Sequence, residues 1–155
     1  MDTSALIWQD LTHINKAPIA TQLWLNDEKS LTTKLKAKFE NFSVQVLLQQ
    51  KQIPHLHESA TINNNDECIV REVELSGNGK VVVFARSIIP ITKDTQEILS
   101  IGSKPLGEVL FNDPSVKRGN IQFTQTDNIW GRRSVFTIGN TKLLVSEFFM
   151  EELYA

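Results

Sequence analysis

Three charged side chains fall where the surrounding pattern calls for apolar ones, and each is of a type that handles a carboxylate or a hydroxyl. In the run Cys68–Leu75, period-two alternation puts Arg71 on the side of Ile69, Val73 and Leu75 and leaves Glu72 and Glu74 on the other. A chain reversal of even length about Gly77-Asn78 sets Arg86, with Val82 and Phe84, on that same face. Two cations on one apolar wall require an anion, either a carboxylate of the protein itself or that of a ligand, because breaking a buried pair and leaving its charge uncompensated costs roughly 3–5 kcal/mol. A guanidinium presents a planar fork that a carboxylate meets with two hydrogen bonds. Glu147 is in phase with Leu143, Val145 and Phe149, while Leu144 and Phe148 make the opposite side apolar too. A carboxylate so buried needs a cationic neighbour or a hydroxyl ligand. The hairpin register about Gly139-Asn140 places Arg132 opposite Glu147, so an internal ion pair answers that need as well as a ligand does.

A helix beginning after Ser103, with Pro105 in its first turn, leaves the amides of Leu106 and Gly107 without intrahelical acceptors, and such amides bind carboxylates. Arg71, Arg86 and these amides together would hold one end of a small acid, and Glu147 a hydroxyl at the other. Other chemistries are poorly served. Cys68 is the single cysteine, which excludes an internal disulfide or a thiolate cluster and reads as a small core residue. Of His13, His55 and His57, only His55-x-His57 has close spacing; it follows Pro54 in a polar stretch and reads as an exposed loop, not a metal site. No metal or cofactor is expected.

The elements that must position these groups are legible as changes of period. Ala20–Leu25 reads as a short helix, and Ser30 caps a second one in which Leu31, Leu35 and Phe39 recur every four residues. From Ser43 the period is two, with Val44, Val46 and Leu48 alternating with polar residues until Pro54. Cys68–Leu75 and Lys80–Ile89 are two further strands joined at Ser76-Gly77-Asn78-Gly79, whose residues tolerate the positive φ of tight hairpin turns. After the short helix that starts beyond Ser103, to which Leu106, Val109, Leu110 and Phe111 supply apolar contacts, Ile121–Gln125, Ser134–Ile138 and Lys142–Phe149 complete six strands. Successive hairpins imply a largely antiparallel sheet with helices packed on it, an α+β fold.

The 155 residues, 41% hydrophobic and 22% charged, suit one globular domain spanning 1–155. A net charge of −2 supplies no positive field for nucleic acid, so any anionic ligand must be held by local charges. Apolar stretches such as Val81–Ala85 fall far short of the roughly 20 residues of a membrane span. Met1–Asp10 lacks the basic start and apolar core of a secretory signal, and a cytoplasmic location is expected.

Ordered landmarks run from Trp24 to Phe149: Ser30-Leu31-Thr32, Arg71-Glu72-Val73, Ala85-Arg86-Ser87-Ile88-Ile89-Pro90, Lys104-Pro105-Leu106-Gly107, Leu110-Phe111, Trp130-Gly131-Arg132-Arg133-Ser134 and Leu143-Leu144-Val145-Ser146-Glu147. In this order and spacing the chain resembles the chorismate lyase family. The resemblance implies a six-stranded antiparallel sheet with helical flaps over an enclosed ligand, and a cofactor-free lyase that converts chorismate to 4-hydroxybenzoate and pyruvate for ubiquinone synthesis. It implies that Arg71 and the Leu106 amide bind the ring carboxylate, that Glu147 bonds the ring hydroxyl, and that Leu31 is a flap residue over the ligand. By the same resemblance Arg86 is a second arginine near the entrance, for the enolpyruvyl carboxylate, and Ala85 stands where relatives carry glycine. Trp130-Gly131-Arg132-Arg133 is expected to be structural, with Gly131 permitting a bend and an arginine pairing internally. A monomer is expected. The alternative is a non-catalytic, small-acid-binding domain of the same fold, which would hold such acids without turnover.

Overall fold

Each run of period two forms a strand: β1 (Phe42–Gln52), β2 (Cys68–Gly77), β3 (Lys80–Pro90), β4 (Lys117–Thr126), β5 (Ile129–Ile138) and β6 (Thr141–Phe149). In the computed structural model, which describes residues 1–9, 16–27 and 30–154, these strands make one sheet in the order β1-β2-β3-β6-β5-β4. Every neighbouring pair is antiparallel. The expected α+β architecture is the one observed.

The β2–β3 turn is made by Asn78 and Gly79, with φ of 52° and 83°, between the paired residues Gly77 and Lys80. Both central residues need positive φ, which Asn and Gly supply at least cost. Beyond the turn the register shifts: Ser76 pairs with Val81, but Leu75 pairs with Val83. This bulge inserts one residue into β3 and reverses the parity of everything after it. Arg71 therefore faces Ser87, and Arg86 faces Glu72. The expectation that Arg71 and Arg86 share a wall is overturned, since the regular hairpin on which it rested does not extend through the bulge.

Three helices cover the Arg71 face, here called the inner face: α1 (Ile19–Leu25), α2 (Leu31–Lys38) and, on its other side, α4 (Leu106–Phe111). Ser30 caps α2 as expected, its Oγ accepting from the Thr33 amide at 3.3 Å. Two apolar clusters anchor these helices: Leu25, Leu31 and Leu35 pack with Val73, Ala85 and Phe149, while Leu106 and Leu110 pack with Ile89, Phe136 and Val145. On the back face a further helix, α3 (Leu56–Ile62), buries Ile62 with Val70, Ile88 and Leu144. This helix replaces the loop expected around His55 and His57. Its start is fixed by the Glu58 carboxylate, which accepts from the His55 amide at 2.9 Å. His13 lies outside the described residues. Cys68 is fully buried, and burial pushes its thiol up to about 11, so it is packed as a core residue. No described helix is long and apolar enough to cross a membrane.

Candidate active site

Between the two inner-face clusters, beneath α2 and α4, the sheet leaves a cavity. Its floor is built by two rungs of the antiparallel ladder. One runs Arg71, Ser87, Val145, Ser134 across β2, β3, β6 and β5; the next, two residues along, runs Val73, Ala85, Glu147, Arg132 across the same strands. Because the side-chain period is two, both rungs point inward.

Arg71 is 3% exposed. Its Nη1 donates to Gln49 Oε1 at 2.8 Å and its Nη2 to the Lys104 carbonyl at 2.9 Å, which orients the guanidinium against the segment leading into α4. Among the described residues no carboxylate lies within ion-pair distance of it, and burial holds its pKa below the ordinary arginine value. A guanidinium has five N–H donors, and two are used here. Leu106 and Gly107 line the cavity beside it, and as the first residues of α4 their amides lack intrahelical acceptors.

Glu147 lines the same cavity. Its Oε1 accepts from Arg132 Nε at 2.9 Å, the internal pair that the hairpin register of β5 and β6 allowed. Arg132 also donates through Nη1 to the carbonyls of Trp24 and Asp27, at 3.0 and 2.6 Å, so it joins Glu147 to the end of α1. Leu31, 7% exposed, closes the cavity from α2. Of the residues singled out from sequence, the cavity thus brings together Leu31, Arg71, Leu106 and Glu147.

Arg86 is not among them. It lies on the back face, where Nε and Nη2 meet Glu58 Oε2 and Oε1 at 2.8 and 2.9 Å, and Nη1 meets Glu72 Oε2 at 3.1 Å. Burial acts to lower its pKa, but these carboxylates outweigh that and raise it. Arg133 is beside it on the same face, donating to Gln122 Oε1 and His57 Nδ1 at 2.8 and 2.9 Å, with its guanidinium carbon 4.4 Å from the Trp8 ring centre. Burial lowers its pKa to about 10. At Gly131 a methyl group would lie 2.6 Å from the Phe148 ring, so glycine admits that ring against the strand.

Sequence reasoning missed Arg118, which lines the cavity from β4. Strict alternation sets it out of phase with Ile121 and Phe123. A bulge between Arg118 and Ile121 restores it to the inner face, with Arg118 paired to Phe136 and Ile121 to Ser134. The adjoining Gly119-Asn120 was the one local sign of an irregular strand.

The family model described as chorismate lyase matches residues 3–155. A probable chorismate pyruvate-lyase of Thiobacillus denitrificans is 32% identical over 92% of this chain and 89% of its own, and one of Psychromonas ingrahamii is 36% identical over 82% and 80%. Among solved structures, the possible transcriptional regulator YydK of Bacillus subtilis is similar in fold, with a TM-score of 0.52 at 13% identity, covering 73% of this chain and 60% of its own.

Proposed function

The chain belongs to the chorismate lyase family, and from that premise we propose that it converts chorismate to 4-hydroxybenzoate and pyruvate in the cavity beneath α2 and α4. The observation that carries the reading is Arg71, a buried cation with no carboxylate partner among the described residues, facing a cavity whose other polar wall is Glu147.

In this reading the ring carboxylate of chorismate binds Arg71 and the Leu106 and Gly107 amides. The C4 hydroxyl donates to Glu147, which Arg132 keeps in place. The ether bond between C3 and the enolpyruvyl oxygen breaks, hydrogen leaves C4, and the ring becomes aromatic as 4-hydroxybenzoate. The three-carbon fragment gains that hydrogen at its methylene carbon and departs as pyruvate. Aromatisation supplies a large driving force, so the protein's task is to orient the substrate and to stabilise charge at the departing oxygen. Leu31 and Leu106 exclude water from the ring. We take the protein to act as a monomer. The unpaired, buried Cys68 is compatible with a reducing cytoplasm, and we place the reaction there, its product serving ubiquinone synthesis.

The test is incubation of the purified protein with chorismate, with pyruvate and 4-hydroxybenzoate assayed separately. Equimolar release is expected. Binding of 4-hydroxybenzoate with no turnover of chorismate would instead identify a ligand-binding domain, and the absence of both would overturn the reading altogether.

A further inference from the structure

We propose that Gln49 is a positioning residue of the ligand site: its side-chain amide aims the Arg71 guanidinium without cancelling its charge, and so sets the cavity's preference for a carboxylate over a neutral ligand. This rests on the reading of Arg71 as the group that binds the ring carboxylate. In β1, Val46 pairs with Val73 but Leu48 with Glu72, so Leu47 is an extra residue in the ladder. That shift sets Gln49 directly opposite Arg71 on the inner face. Side chains paired in this way lie roughly 5 Å apart at Cβ, within reach of a hydrogen bond between their ends.

A guanidinium only donates and a backbone carbonyl only accepts, and Gln49 stands between one of each. Its Oε1 accepts from Arg71 Nη1 at 2.8 Å, and its Nε2 donates to the Leu99 carbonyl at 3.1 Å. A primary amide meets both demands. A carboxylate would turn a second acceptor on the Leu99 carbonyl, and a lysine would repel the arginine. Arg71 Nη2 in turn bonds the Lys104 carbonyl, so this chain of contacts starts and ends in the segment that leads into α4. Leu99 packs against the apolar cluster of Leu106 and Leu110, which holds that segment to the sheet. The guanidinium is therefore gripped at both terminal nitrogens. Its charge is left intact as well: β1, Phe42–Gln52, holds four glutamines and a lysine and no carboxylate, although an acid at position 49 would meet Arg71 as an ion pair. A buried cation with no ion partner among the described residues is neutralised best by an anion that enters the cavity.

Gln49 is exposed on an edge strand, so its variants should fold. The test compares 4-hydroxybenzoate with its neutral isostere 4-hydroxybenzamide by calorimetry, and wild type should prefer the acid. In Gln49→Glu the new carboxylate takes up the charge of Arg71. Preference for the acid over the amide should then fall at least about 10-fold, while the urea midpoint stays at or above that of wild type. Gln49→Met leaves the charge but no longer aims it, and should weaken binding of the acid about 3- to 10-fold. An unchanged acid-to-amide ratio in Gln49→Glu would overturn the proposal, because a mere support of the cavity would weaken both ligands equally. Wild-type affinity in Gln49→Met would overturn it too. These readouts need no turnover: a wild type that binds the acid but converts no chorismate refutes the lyase reading alone, and Gln49 is judged by the same ratio. A wild type with no preference for the acid would overturn the roles of Arg71 and Gln49 together.

Discussion

Arg132 Nε lies 2.9 Å from Glu147 Oε1, and the same guanidinium reaches the carbonyls of Trp24 and Asp27 at the end of α1. The group proposed to bond the ring hydroxyl is thus held by a residue that also ties a covering helix to the sheet. Positioning of Glu147 and attachment of α1 to the inner face share one side chain.

Replacing Arg132 with alanine strands a mostly buried carboxylate and leaves carbonyls of α1 without their donor. Loss of about 3–5 kcal/mol of stability is expected from urea denaturation, with loss of turnover. Arg132→Lys keeps the charge but cannot bond Glu147 and the carbonyls as a fork, so it should recover only part of the stability. A wild-type urea midpoint in either variant would contradict the bridging role.

Arg71 should show the opposite balance. It is a buried cation without an ion partner among the described residues, so Arg71→Met removes a desolvation penalty, and the ligand-free protein should be as stable as wild type or more so. Affinity for 4-hydroxybenzoate should fall by at least about 2 kcal/mol, some 30-fold, by calorimetry. A variant that binds product normally would refute the assignment of Arg71 to the carboxylate.

The back-face network predicts the pH dependence of stability. Burial tends to raise the Glu58 carboxyl, but the hydrogen bonds and charge of Arg86 and the His55 amide outweigh it and hold its pKa below the ordinary 4.5. A depressed carboxylate stabilises the fold fully above its unfolded pKa, and that contribution is lost as pH falls through the folded one. His57 acts in the same direction over a higher range: burial lowers its pKa from 6.5, so stability declines as pH falls below that value. Urea midpoints measured from pH 8 to 3 should fall first from about pH 6.5 and again below about pH 4.5. His57→Gln should remove the first step and Glu58→Gln the second; profiles identical to wild type would exclude these groups.

Gly131→Ala should cost about 1–3 kcal/mol, since its new methyl would meet Phe148, itself fully buried and in ring contact with Trp8 and Phe84. The clash is on the back face, so 4-hydroxybenzoate affinity of the folded variant should be unchanged. A wild-type urea midpoint would show that the ring can move aside.

The amino-acid sequence by itself determined the six strands, the hairpin between β5 and β6, the Ser30 cap and the inward phase of Arg71 and Glu147, because each follows from local periodicity or turn chemistry. The helix at Leu56–Ile62 was hidden because its start follows Pro54 and its apolar residues are few; much of its hold comes from Glu58 meeting Arg86, a contact between residues 28 apart in sequence. Which arginines enter the cavity was decided only in the tertiary structure. Side chains alternate at every residue of a strand, so one extra residue in a ladder exchanges its faces. The bulge in β3 sends Arg86 to two carboxylates on the back, and the bulge in β4 returns Arg118 to the inside. Apart from Gly119-Asn120 neither strand announces its shift in sequence, because a bulge is a relation between two strands and is fixed only once they are paired.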